Sequence, residues 1–358
     1  MKVVFLGLSI TSSWGNGHAT NYRALVGELH RRGHDVLFCE RDVPWYRAHR
    51  DLPTLPNGTL LLYESLEQLR GEANVHVRHA DLVVLGSFVP DGRAVADWML
   101  RTAAGVTAFY DIDTPVTLGK LERGECDYVE LEQIPRFDLY LSFTGGPTLA
   151  RLEHELGARR ALAFYCLVDE RSYRPVPAEP PWDIGYLGTY SDDRQATLDA
   201  LLLESARSRP ELRCVVAGPQ YPDSIRWPPN VERIDHVAPG EHPAFYAGQR
   251  FTLNVTRAEM CRAGWSPSVR LFEAAACGVP IISDPWPGLE HLFVDGEQIL
   301  VAHSSEDVIR LLDEVGEAQR LRIASSARDR VLAEHTATRR VEQLEREVGA
   351  LAQRRAAA

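Results

Sequence analysis

An arginine and a glutamate lie three positions apart in SPSVRLFEAAACGVP, which spans residues 266–280. Ser266 is a predicted N-cap with Pro267 at the first helical position, so the helix start would offer free backbone amides to a phosphate. Arg270 in the first turn could bind a diphosphate, and Glu273 on the same face could accept both hydroxyls of a ribose. Together the two side chains indicate a nucleotide site.

The same spacing also has a simpler interpretation. Arg270 and Glu273 could pair with each other on a solvated helix face, a contact worth about 0.2–0.5 kcal/mol. The neighbourhood favours the nucleotide site, because three alanines predict a closely packed helix that ends at Gly278 and leads into the buried strand VPIIS.

Two more polar motifs come directly after predicted strands. GNGHAT, residues 15–20, has Thr20 where a dinucleotide fingerprint needs its third glycine, which argues against NAD binding. In FYDIDTPVT, Asp113 could bind or deprotonate a hydroxyl, while Asp111 could instead secure the turn. One short acidic pair is weak evidence for a metal, and we expect no metal site.

These motifs need a scaffold that brings strand ends together. In the first half of the chain, short β-rich runs alternate with amphipathic segments of helical length, which predicts a parallel sheet covered by helices on both faces. We therefore expect a Rossmann-like domain over residues 1–170. Its predicted strands are residues 3–6, 35–39, 60–63, 81–86, 107–110, 138–143 and 161–165.

The second half repeats this alternation after a break. The proline-rich segment RSYRPVPAEPPWD, residues 171–183, predicts an extended linker, because proline fixes φ and removes a backbone donor. A second Rossmann-like domain follows over residues 184–335, and a C-terminal helix and tail over residues 336–358. The predicted strands of this domain are residues 184–188, 212–218, 231–235, 251–255 and 279–283.

Composition excludes several classes of protein. The chain has 39 basic and 50 acidic residues, and its net charge of −11 argues against a nucleic-acid partner. No segment approaches the roughly 18 uninterrupted apolar residues of a membrane span, so we expect no integral membrane segment. The six cysteines are scattered without a CxxC pair, which is typical of neither a zinc site nor a disulfide framework and favours a reducing cytoplasm.

The N-terminus has two interpretations. Lys2 followed by the apolar residues 3–10 is similar to a short secretion signal. A strand buried on both faces, then a glycine loop and a helical pattern over residues 21–32, accounts for the same residues better. We therefore expect a cytoplasmic protein.

Taken together, these motifs resemble those of GT-B glycosyltransferases. FEAAACGVPIISD is similar to the C-terminal-domain signature of family 4. NVTRAEM, SPSVRLFEAAACGVPIISDPWPGLE and FYDIDTPVTLGKLERGECDY resemble the CgeB-type, spore-maturation-like group more closely. The resemblance runs from the first strand to about Phe293. It implies an α/β GT-B fold, with two Rossmann-like domains facing across a central cleft.

The resemblance also implies roles for individual residues. Glu273 would bind the donor ribose, but Trp265 stands where family 4 has a second glutamate, which puts that sugar-positioning role in doubt. Arg194 is a less certain donor contact, and Pro219 follows Gly218 at the end of a predicted strand. The expected donor contacts are Gly15, Asn16, Gly17, Gly188, Thr189, Gly218, His236, Val237, Arg257, Ser268, Arg270 and Glu273.

The acceptor side falls in the first domain. His18 could act as a base or hydroxyl partner near the reacting carbon, or it could merely cap the helix after the loop. Asp113, and with it Asp111, would face the acceptor. Arg257 could equally be a surface arginine.

The resemblance implies a metal-independent, hexosyltransferase-like enzyme. It would move a sugar from a nucleoside-diphosphate sugar to a hydroxyl of a small-molecule or glycan acceptor, with no cofactor. Three alternatives stay open. The chain could be a nucleotide-sugar epimerase or hydrolase of the same fold, a non-catalytic sugar-binding or coat-assembly protein with a degraded site, or, more distantly, an NAD dehydrogenase.

Overall fold

The computed structural model describes residues 1–357, which divide into two compact units. The first unit comprises Met1–Leu167 together with the C-terminal helix, and the second comprises Val168–Thr336. Each unit is built around its own parallel sheet.

The first unit has a seven-stranded sheet, and all seven predicted runs form its strands. They are β1 (Lys2–Gly7), β2 (Asp35–Arg41), β3 (Thr59–Tyr63), β4 (Leu82–Gly86), β5 (Val106–Asp111), β6 (Leu139–Ser142) and β7 (Ala161–Ala163). The spatial order is β3-β2-β1-β4-β5-β6-β7, and every neighbouring pair is parallel.

The apolar run in β1 shows why this sheet forms. Val4 and Leu6 pack into one hydrophobic core, whereas Val3 and Phe5 pack into the core on the opposite face. A strand with both faces covered needs an apolar residue at every position. The helices of this unit are α1 (Gly17–Arg31), α2 (Pro44–Arg47), α3 (Leu66–His79), α4 (Gly92–Thr102), α5 (Thr114–Glu122) and α6 (Pro147–His154), with a 3-10 helix at Leu131–Arg136.

The second unit has a six-stranded parallel sheet, whose last, two-residue strand was not predicted from the sequence. Its strands are β8 (Trp182–Leu187), β9 (Cys214–Ala217), β10 (Val231–Ile234), β11 (Gln249–Asn254), β12 (Ile281–Ser283) and β13 (Leu300–Val301). They lie in the order β10-β9-β8-β11-β12-β13. This arrangement, with the sheet of the first unit, confirms the predicted pair of Rossmann-like domains.

The helices of the second unit include one with a local change of pitch. Helices α7 (Asp192–Leu198) and α8 (Glu204–Ser208) are joined by a π-helical segment at Asp199–Leu203. The others are α9 (His242–Ala247), α10 (Ala258–Ala263), α11 (Val269–Ala276), α12 (Leu289–Leu292), α13 (Ser305–Glu314) and α14 (Glu317–Glu334), with a 3-10 turn at Pro239–Glu241.

The C-terminal helix α15 (Ala337–Ala357) packs on the first unit. Its residues Val341, Leu344 and Val348 join the core that contains Val3 and Phe5. Glu345 also accepts hydrogen bonds from Arg32 at 3.1 and 2.7 Å. The last residue, Ala358, lies outside the described residues.

The start of α11 differs from the prediction. The helix begins at Val269 with Ser268 as its N-cap, whereas Ser266 was expected to be the cap. Ser266 instead donates its hydroxyl to the carbonyl of Gly264 at 3.0 Å, so it is turned away from the helix. The predicted N-cap was wrong by two residues, because the Ser266 hydroxyl is hydrogen-bonded to the preceding turn.

The proline-rich segment was predicted to be an extended linker over residues 171–183, and the structure differs from this prediction at the end of the segment. Residues 171–181 contain no helix or strand, but Trp182 and Asp183, which were assigned to the linker, open strand β8. Tyr173 within this segment is only 4% exposed. Tyr173 therefore anchors the segment in the second unit, whereas most of its other residues are exposed.

Candidate functional site

Arg270 is buried at the start of α11, below the end of strand β8. Its Nε donates to the carbonyl of Leu187 at 2.6 Å, and its Nη1 donates to Oδ1 of Asn254 at 2.8 Å. The guanidinium also lies over the ring of Tyr186, 4.5 Å from its centroid. Only 5% of Arg270 is exposed. These contacts fix a positive charge where an anion could meet the free amides of the helix.

Glu273 lies one turn further along α11 and is 4% exposed. Its Oε2 accepts a hydrogen bond from the hydroxyl of Tyr246 at 3.0 Å and lies 3.7 Å from Nδ1 of His242. Because both Arg270 and Glu273 are buried and each has other partners, the alternative of a solvated Arg270–Glu273 pair is wrong. A buried carboxylate with donors on one side keeps acceptor capacity for a ligand.

Two glycines directly follow the adjacent strands β8 and β9. Gly218 has φ +139°, and a Cβ there would lie 2.0 Å from the carbonyl oxygen of Gly188. A Cβ on Gly188 would in turn lie 2.8 Å from Nη2 of Arg270. Thr189 follows Gly188, and its carbonyl accepts from Nη2 of Arg194 at 2.8 Å. The strand ends thus approach each other more closely than side chains would permit.

A buried polar cluster beside this site was not predicted from the sequence. Asn254, at the end of β11, accepts from Arg270 and also from the hydroxyl of Ser268 at 2.8 Å. Asp284, directly after β12, accepts from the backbone amide of Thr256 at 3.0 Å and from its hydroxyl at 2.9 Å. Burial raises the pKa of the Asp284 carboxyl. The sequence feature that could have indicated this cluster is the polar residue at the end of each apolar run, Asn254 in NVT and Asp284 in IISD.

The remaining donor-side candidates lie around the same sheet edge. His236 and Val237 follow β10, and the carbonyl of Val237 lies 3.2 Å from Nε2 of His242. Arg257 precedes α10 and donates from Nε to Asp193 at 3.3 Å. Arg257 therefore carries a carboxylate partner, which agrees with a structural role as well as with a ligand contact.

In the first unit, the structure brings together His18 and Asp113. Nε2 of His18 lies 3.8 Å from Oδ2 of Asp113, with the side chains 12% and 28% exposed. The N-cap of α1 is Asn16, whose Oδ1 accepts from the backbone amide of His18 at 3.0 Å. Because Asn16 caps the helix, the imidazole of His18 is left for another role.

The glycines of this loop differ in their constraints. Gly15 has φ +59°, a left-handed conformation that glycine adopts without strain. A Cβ on Gly17 would meet nothing within 4 Å. The loop before them is held by Glu40, which accepts from the amides of Ile10 at 2.7 Å and Thr11 at 3.0 Å.

Asp111 takes a different position from Asp113. Its side chain is fully buried and accepts from the hydroxyls of Tyr140 at 2.5 Å and Thr117 at 2.6 Å. Burial raises its pKa to about 6. These contacts fit the alternative in which Asp111 secures the turn, whereas Asp113 is partly exposed.

Among residues 1–357, no three His, Cys, Asp or Glu side chains are grouped so that they could hold a metal ion. None of the helices in this range combines the length and apolarity that crossing a membrane requires.

Comparison with known proteins relates this geometry to solved structures. The chain superimposes on a sucrose-phosphate synthase from Thermosynechococcus elongatus with TM-score 0.69 at 14% identity, covering 98% of this chain and 100% of that one. HepE from Anabaena, in complex with UDP-glucose, gives 0.69 at 13% identity, with coverage of 98% and 100%. An alpha-glucosyltransferase in complex with UDP-glucose and DNA gives 0.69 at 13% identity, with coverage of 97% and 98%.

Sequence comparison adds one finding. Residues 194–346, which contain Arg270 and Glu273, match the model of a family described as glycosyl transferase-like. A search of curated proteins finds no match. The chain therefore has the GT-B fold, and the family match together with the fold supports glycosyltransferase function.

Proposed function

We propose that this protein transfers a hexose from a nucleoside-diphosphate sugar to a hydroxyl of a small-molecule or glycan acceptor, without a metal ion. The observation that carries the proposal is the buried start of α11, where Arg270 lies next to Gly188 and Glu273 lies one turn further along the same helix. A UDP-sugar is the first donor to test, because two of the structural neighbours were solved with UDP-glucose.

Donor binding would use the second unit. The diphosphate would lie against the amides at the start of α11 and the guanidinium of Arg270, beside the backbone of Gly188 and Thr189. Glu273 would accept the ribose hydroxyls, and the backbone at His236 and Val237 would hold the base. Gly218, Ser268 and Arg257 would complete this side.

The chemistry would depend on stabilising the departing diphosphate. Negative charge grows on its oxygens as the bond to the sugar breaks, and fixed donors placed there lower the barrier without reorganisation. In the first unit, His18 with Asp113 would bind or deprotonate the acceptor hydroxyl, and the loop of Gly15, Asn16 and Gly17 would approach the donor.

We further propose that the protein belongs to the CgeB-type, family 4-like group and acts in the cytoplasm. The motifs between Asn254 and Phe293 support the first statement. The cytoplasmic location is supported by the six cysteines, because all six are free thiols, as is usual in a reducing compartment.

One observation favours a second candidate function. Trp265, which replaces the second glutamate of family 4, has φ +44°, and its ring stacks on His291 at 5.8 Å. A site that lacks this carboxylate could bind a sugar nucleotide without transferring the sugar. That candidate predicts donor binding without turnover for any acceptor.

The proposal is tested by thermal unfolding against a panel of UDP-, TDP-, GDP- and ADP-sugars, with NAD as a control. A ligand at 100 times its Kd stabilises the folded protein by about 2.7 kcal/mol, which raises Tm by a few degrees. We expect one nucleotide family to stabilise the wild type and Glu273→Ala to lose that shift. If no sugar nucleotide stabilises the wild type, the proposed function is wrong.

A further inference from the structure

Three side chains surround the carboxylate of Glu273 within the second unit. The hydroxyl of Tyr246 donates to Oε2 at 3.0 Å, and Nδ1 of His242 lies 3.7 Å from the same oxygen. The hydroxyl of Tyr173 lies 3.0 Å from Nδ1 of His242. Burial raises the pKa of both tyrosines well above the usual range, and the charge of Glu273 is the second cause. Both hydroxyls therefore stay protonated and can donate hydrogen bonds.

His242 has a second contact on its opposite nitrogen. Its Nε2 lies 3.2 Å from the carbonyl oxygen of Val237. A carbonyl can only accept, so Nε2 carries the proton, and in the neutral ring Nδ1 is the acceptor for Tyr173. The imidazole therefore connects the backbone after β10 to the surroundings of Glu273.

The contacts of His242 leave it little freedom. Its side chain is 14% exposed, and its ring packs edge-on against Tyr173 at 6.0 Å and Tyr246 at 6.3 Å. The ring is held on two sides and bonded at both nitrogens. A displacement of the Val237 backbone would therefore also displace Glu273, and a displacement of Glu273 would displace Val237. The hydroxyl of Tyr246, by contrast, donates to Glu273 and not to the carbonyl of Val237.

We infer that His242 is a positioning residue that couples recognition of the nucleotide base to recognition of its ribose. The inference rests on the proposed function, in which Val237 holds the base and Glu273 the ribose of a ribonucleoside diphosphate. Loss of His242 should loosen both contacts together. Loss of the Tyr246 hydroxyl should loosen the ribose contact alone.

The test measures Kd by calorimetric titration of the full chain with UDP, ADP and GDP and with their 2′-deoxy forms. In the wild type, we expect one base to be preferred and its ribose form to bind about 10-fold or more tighter than the deoxy form, as expected for one hydrogen bond to a charged group. His242→Phe should reduce both preferences. Tyr246→Phe should reduce only the preference for ribose.

Two further variants complete the test, one as a second perturbation of the His242 contacts and one as a control. Tyr173→Phe retains the buried ring and removes the hydroxyl that lies beside both Nδ1 of His242 and the Glu273 carboxylate, so it should weaken both preferences even if His242→Phe does not fold. His303→Phe, at an exposed histidine of the same unit, should change neither.

The outcomes separate the inference from the function. If the wild type binds a diphosphate but His242→Phe and Tyr173→Phe keep both preferences, or lose only one, the coupling is wrong and the donor site stands. If the wild type binds none of the six diphosphates, the proposed function fails and the inference fails with it.

Discussion

Nε2 of His18 lies 3.8 Å from Oδ2 of Asp113, so a residue at the start of α1 meets one that directly precedes α5. The distance is too long for a hydrogen bond but short enough for an ion pair when the imidazole is protonated. Phe88 packs edge-on against His18 at 5.6 Å and limits the positions that its ring can take. An acceptor hydroxyl at this pair would have a base and a carboxylate within reach.

His18→Gln and Asp113→Asn should each reduce kcat about 100- to 10,000-fold, the usual contribution of a general base. Neither should lower Tm by more than a few degrees, because both side chains are partly exposed. Turnover is measured with the donor and acceptor found by screening. His30→Gln, at the exposed end of the same helix, is the matched control, and equal activity in all four proteins would remove His18 and Asp113 from the mechanism.

Gly218→Ala should destabilise the second unit by about 2 kcal/mol or more. The residue has φ +139°, and its new Cβ would collide with the carbonyl oxygen of Gly188 at 2.0 Å. Gly17→Ala is the control, because that Cβ would meet nothing within 4 Å and its effect should stay within about 0.5 kcal/mol. Urea unfolding measures both, and equal stability of the two variants would contradict the close approach of the strand ends.

Arg270→Gln should lower the free energy of unfolding by about 2–3 kcal/mol even without ligand. The change leaves the buried carbonyl of Leu187 and Oδ1 of Asn254 without their charged donor. Arg262→Gln, on the exposed face of α10, should have little effect. An Arg270→Gln protein as stable as wild type would mean that Arg270 has no structural role and is available solely to a ligand.

Asp111 should make the first unit less stable as pH rises. Burial raises its folded-state pKa to about 6 from an ordinary value of 3.8, so between these values the folded state binds more protons than the unfolded state. The contribution is fully present below pH 3.8 and is lost by about pH 6. Its size is up to about 3 kcal/mol.

The measurement compares wild type with Asp111→Asn across pH 4 to 6.5, because other carboxylates cancel in the difference. The stability of wild type relative to the variant should fall through this range. A difference that stays constant, or that grows with pH, would show that the Asp111 carboxylate is not destabilised by burial.

Much of the fold could be predicted because each strand carries its own signal. Runs such as residues 3–6 are apolar at every position since both faces of the sheet are covered, and this local pattern needs no knowledge of the partners. That Arg270 and Glu273 lie on one helix could be predicted for a similar reason, since i,i+3 spacing is local. The docking of α15 on the first unit could not be predicted, because α15 packs on α1 across more than three hundred positions of chain.

The sequence by itself determined two parallel α/β domains and the residue types at the strand ends. Tertiary structure alone decided which of those residues meet. It buried Arg270 under the carbonyl of Leu187, placed Tyr246 and His242 beside Glu273, and turned Asp111 inward while Asp113 faced His18. The reason is physical: strand and helix periodicity depend on neighbours in the chain, whereas a buried polar contact depends on groups that long-range packing brings within about 3 Å.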